Sequence, residues 1–82
     1  MPKLRTPVAD TLAASTAREI RAEMSRQGVT QEVLAERLGC GQRLLSRRLT
    51  AEVPIDTAEL DRIAKALGVP VTQFLPTPAR AA

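Results

Sequence analysis

The chain has 82 residues, a formal charge of +3, and 44% hydrophobic but only 1% aromatic residues. That length makes one small domain and excludes a second, and its core is better built from helices packed through Leu, Ile, Val and Ala than from a β-sandwich. With no His and a single Cys, Cys40, the chain cannot form an intramolecular disulfide or a zinc site of the usual Cys/His type. Ser-His and Cys-His nucleophile pairs are excluded as well, which leaves Ser15, Ser25 and Ser46 without an obvious base. A non-enzyme that uses no metal, cofactor or small-molecule ligand is expected.

Met1 to Asp10 carries Lys3 and Arg5 but lacks the apolar run of a signal peptide, and nothing later approaches the ~18 apolar residues of a membrane span. A cytoplasmic protein without a membrane partner is expected. The proline-bearing ends, 1–9 and 76–82, read as flexible segments around an ordered domain at 10–75. From Asp10, an expected N-cap, to Gln27, apolar residues at Ala13, Ala17, Ile20 and Met24 line one helix face, and Gly28 stops the helix. Arg18, Glu19, Arg21, Glu23 and Arg26 read as its solvated side.

Thr30 caps a second helix from Gln31 to Leu38, with Leu34, Ala35 and Leu38 inward and Gly39 beyond its end. Cys40 and Gly41 leave room for a tight turn before a third helix, Gln42 to about Thr50, held by Leu45 and Leu49. This is a helix-turn-helix pattern. After a loop at Pro54, Asp56 and Glu59 form a capping-box pattern for a fourth helix that buries Leu60, Ile63, Ala64 and Leu67 and stops at Gly68. Beyond Pro70, Val71 to Leu75 makes a last helical turn in which Phe74 fills the core. The reading is all-α: five helices and no sheet.

Charge is distributed unevenly. Arg37 to Ala51 holds four arginines (Arg37, Arg43, Arg47, Arg48) and no acid, whereas Glu52 to Asp61 holds four acids and no base. At about 100° per residue, Gln42, Arg43, Ser46 and Arg47 share one sector of the third helix, with Leu45 and Leu49 turned toward the body. Arg can bridge guanine O6 and N7, and Gln adenine N6 and N7, so this face suits major-groove readout. Charge alone is explained as well by an exposed helix that its arginines keep soluble.

Residues Thr30 to Gly39, then Gly41-Gln42 and Leu45-Ser46-Arg47, resemble the helix-turn-helix of the lambda-repressor-like family of phage repressors, Cro proteins and Xre-type regulators. Leu60-x-x-Ile63-Ala64-x-x-Leu67-Gly68-Val69 and Phe74-Leu75 are similar to its closing helices, so the resemblance spans Ala17 to Leu75. It implies a compact five-helix domain in which Gln42, Arg43, Ser46 and Arg47 contact bases. Gln31 would touch a phosphate and brace Gln42, while Thr30, Arg48 and Thr50 join the phosphate contacts. The implied partner is an operator in double-stranded DNA, bound by one chain or by a homodimer. The implied function is transcriptional repression of Cro or immunity-repressor type, of phage or prophage origin; an antitoxin or adaptor using the same fold to hold a protein is the alternative.

The sequence also departs from the family pattern. Gly41 replaces the usual hydroxyl cap, and Thr50-Ala51 a frequent Asn-Gly turn. Arg48 stands where an apolar core residue is common, and burying its charge without a partner would be costly. Two positions stay open for Arg48, one facing the phosphate backbone and one packed in the interior, and it is counted among the phosphate contacts.

Overall fold

The computed structural model describes residues 11–76. Four α-helices follow one another: α1 (Leu12–Gln27), α2 (Gln31–Leu38), α3 (Gln42–Leu49) and α4 (Thr57–Leu67), with a 3-10 turn at Val71–Phe74 and no strand among the described residues. The expected fifth helix is thus this 3-10 turn. Its bonds run from Gln73 N–H to the Pro70 carbonyl, 3.0 Å, and from Leu75 N–H to the Thr72 carbonyl, 3.2 Å. Pro70 fixes the entry, and the turn is too short to establish an α-helical ladder. The expected flexible ends lie outside the described residues apart from Pro76, as does Asp10. The cap of α1 is its neighbour Thr11, whose side chain accepts from the Ala14 N–H at 3.0 Å.

The remaining boundaries follow local chemistry. Thr30 accepts from the Val33 N–H at the start of α2. Asp56 and Glu59 close the full capping box of α4: Glu59 N–H donates to Asp56 Oδ1 at 2.7 Å, and Asp56 N–H donates to Glu59 Oε1 at 3.1 Å. Gly39 ends α2 at φ 70°, a left-handed conformation without steric cost only for a residue lacking Cβ. Ala51, just past α3, adopts φ 64° despite its Cβ; this is the place where a Gly would relieve strain.

The core gathers Ile20 and Met24 of α1, Leu34 and Ala35 of α2, Leu45 and Leu49 of α3, and Leu60, Ile63, Ala64 and Leu67 of α4 around fully buried Phe74. In the tertiary packing α1 supports α3 and the 3-10 turn, α2 touches both α3 and α4, and α4 meets the 3-10 turn. One expected surface residue is inside. Glu23 is only 8% exposed; it accepts from Arg26 Nε at 2.9 Å, Gln27 Nε2 at 2.8 Å and Gln73 Nε2 at 2.6 Å. Gln27 also donates to the Leu67 carbonyl at 2.8 Å, so this carboxylate ties α1 to the end of α4 and to the closing turn. Hydrogen bonds from Gln27 and then Arg26 hold its carboxyl below the usual glutamate range.

Candidate nucleic-acid interface

The turn between α2 and α3 is set by its backbone. Cys40 N–H returns to the Ala35 carbonyl at 3.1 Å, and Leu45 N–H takes the Gly41 carbonyl at 3.1 Å. Gly41 is extended and supplies no side-chain cap, so the first amides of α3 keep their donors available to an anion. Leu45 and Leu49 anchor the helix. With that face inward, Gln42, Arg43 and Arg47 are exposed, and Ser46 lies half-buried between them.

The exposed side chains are unequally engaged. Arg43 makes no hydrogen bond or ion pair among the described residues. Arg47 lies 3.8 Å from Glu52, both more than half exposed, a geometry in which solvent leaves little attraction. Thr50 donates its hydroxyl to the Arg47 carbonyl at 3.2 Å, and Thr30 Oγ1 is taken up by its cap; each keeps a lone pair or rotor for a second partner. Gln31 is half-buried at the start of α2, and among the described residues no hydrogen bond joins it to Gln42.

Arg48, counted from sequence among the phosphate contacts, has a partner within the domain. It is not presented beside Arg43 and Arg47: its Nε lies 2.9 and 3.0 Å from the two carboxylate oxygens of Glu59, with both side chains less than one-fifth exposed. The helical rotation that carries Arg48 about 100° past Arg47 aims it at α4. There the carboxylate compensates the desolvation that would have driven the arginine outward. Hydrogen bonding to Arg48 holds the Glu59 carboxyl below its ordinary range, and the same bond raises Arg48. Arg21 of α1, read from sequence as a solvated residue, donates Nη1 to the Leu49 carbonyl at the end of α3.

A family model described as a helix-turn-helix domain matches residues 16–74. The chain belongs to the helix-turn-helix domain family. A solved structure, that of the hypothetical transcription factor NHTF from Neisseria, superposes with a TM-score of 0.76 at 27% identity, covering 95% of this chain and 90% of that one. No curated protein matches. In this helix-turn-helix chain, no described helix is long and apolar enough to cross a membrane. Among the described residues no group of His, Cys, Asp and Glu is placed to hold a metal ion.

Sequence reasoning missed two residues that shape the helix-turn-helix, Arg21 and Glu59. Glu59 was visible as a capping residue and Arg48 as a charge in an apolar slot. The acid-rich stretch from Glu52 to Asp61, following the arginine-rich helix, was the available signal that the two could pair.

Proposed function

We propose that the chain is a sequence-specific double-stranded DNA-binding transcriptional regulator, acting in the cytoplasm as a repressor of Cro or immunity-repressor type and of phage or prophage origin. The observation that carries this reading is the exposed arc of α3, where Gln42, Arg43 and Arg47 stand clear of the body on the second helix of a helix-turn-helix. Likeness to the Neisseria protein, itself described as a hypothetical transcription factor, supports the same class.

In this reading α3 enters the major groove. Gln42 pairs with adenine, Arg43 and Arg47 with guanines, and Ser46 with either neighbour. The amino end of α2, with Thr30 and Gln31, lies against one phosphate, and Thr50 against another, fixing register without reading sequence. Repression is steric: the bound domain occupies an operator that the transcription machinery needs. Two copies on a two-fold operator would set their α3 helices about 34 Å apart, one helical turn of DNA.

Selection from random duplexes, followed by titration of the enriched sequence in rising salt, tests the proposal. The expected result is a short enriched motif, repeated at one-turn spacing if two chains bind. Affinity should fall steeply with salt, by a slope of about −0.9 for each phosphate neutralised. No enrichment, together with affinity flat in salt, would refute it and favour a protein partner.

A further inference from the structure

The carboxyl-terminal half of α3 is tied to the domain at two points off its exposed reading arc. Arg21 reaches from α1 to the Leu49 carbonyl, one of the last carbonyls of α3, which have no donor within the helix. Arg48 reaches to Glu59 on α4. Beside the core side chains that α3 and α4 both contribute, this pair is the hydrogen-bonded link between the two helices among the described residues. Arg48 and Glu59 therefore add a directional polar contact to the apolar ones of the shared core.

Glu59 is committed twice. Its Oε1 accepts from the Asp56 N–H as well as from Arg48, so the carboxylate that closes the first turn of α4 is also the one that holds α3. Both of its oxygens lie within hydrogen-bond distance of the single Nε–H of Arg48, a charge-assisted contact shared between the two. A half-buried ion pair of this kind adds little stability over an apolar pair of the same volume. What it supplies is direction, at the residue next to Arg47.

We infer that the Arg48–Glu59 pair, seconded by Arg21 on the Leu49 carbonyl, positions α3 for base readout, so that two residues making no DNA contact determine how well the domain discriminates sequences. The inference rests on the DNA-binding reading above. Arg48 and Glu59 are positioning residues: they act through the pose of Gln42, Arg43 and Arg47. A misaimed helix loses its bidentate base contacts and keeps its charge, so specific binding suffers and nonspecific attraction does not.

The test uses the full chain and the duplex enriched in the selection, with a scrambled duplex beside it. Glu59→Gln preserves an acceptor for the capping box and removes the charge that holds Arg48. Arg48→Met removes the guanidinium and keeps an unbranched apolar stem. Titrations are run well below the melting temperature of each variant. Each substitution is expected to weaken the enriched duplex by about fivefold or more, the lower end for one lost base contact, and to leave the scrambled duplex and the salt slope unchanged. The double variant should be no worse than the weaker single, since both remove one shared interaction.

Two results would overturn the inference. If Arg48→Met weakens both duplexes equally and lowers the salt slope by about 1, while Glu59→Gln strengthens both, Arg48 is a phosphate ligand that Glu59 restrains. If both variants bind as the parent does and only melting shifts, the pair is structural alone. A parent chain that enriches no duplex defeats the DNA reading itself, and the inference with it.

Discussion

Arg43→Ala and Arg47→Ala separate readout from folding because of where the two side chains sit. Arg43 is exposed and makes no hydrogen bond or ion pair among the described residues, so its truncation should change stability by no more than about 0.5 kcal/mol. Loss of a bidentate guanine contact should cost ~1 to 3 kcal/mol on the enriched duplex, roughly a 5- to 150-fold rise in Kd. Arg47 must first leave Glu52, at 3.8 Å and with both partners exposed, an interaction worth about 0 to 1 kcal/mol. Its truncation should therefore cost less than that of Arg43 by up to that amount. Melting followed by circular dichroism, and anisotropy titrations of labelled enriched and scrambled duplexes, give both quantities. If each substitution weakens the two duplexes by the same factor, α3 is held by the phosphate field and the assignment of base readout fails.

Ala51→Gly should stabilise the domain by about 1 kcal/mol, because it releases a left-handed Cβ conformation; an unchanged or lowered urea midpoint would count against strain at this site. Glu23 and Glu59 are held below the ordinary glutamate value of 4.5, so in the acid range the unfolded chain binds more protons than the folded one. Their stabilisation is complete above about pH 5 to 6 and is lost as pH falls through 4.5 toward the lower folded values. Glu23→Gln should lower stability at neutral pH and flatten the acid limb of urea midpoints measured between about pH 7 and 3; a limb as steep as the parent's would refute the role of Glu23. Phe74→Ala should cost about 3 to 5 kcal/mol, since the ring is fully buried where the 3-10 turn meets α1 and α4. A domain this small has little reserve, so thermal melts should show a largely unfolded chain at room temperature, whereas Phe74→Leu should still melt cooperatively.

Much of the fold was legible because its boundaries are written in single residues. Thr30, Asp56, Gly28, Gly39 and Gly68 each mark a helix end by local chemistry that needs no partner. Asp10 and Thr11 are adjacent residues of similar capping quality, and sequence offered no means of choosing between them. Glu23 shows the limit of periodicity. It lies three residues after buried Ile20, at the edge of the apolar stripe, and what encloses it includes Gln73, fifty residues further along the chain. The last turn read as helical from its residues, but whether the five residues between Pro70 and Pro76 wind as α or 3-10 depends on how Phe74 seats in the core.

The candidate interface divides along the same line. The exposure of Gln42, Arg43 and Arg47 follows from the burial of Leu45 and Leu49, a relation internal to one helix. The fate of Arg48 does not, since it depends on where α4 lies. A charge in an apolar slot has two escapes, outward to solvent and DNA or inward to a counter-charge, and helical geometry alone does not rank them. The inward route requires an acid on the facing helix at the right turn, and Glu59 meets that requirement eleven residues along the chain. Because its backbone position is already fixed by the capping box, part of the entropy of ordering its side chain is spent in forming α4. A preordered carboxylate is the better partner, and the arrangement makes the start of α4 and the aim of α3 depend on one side chain.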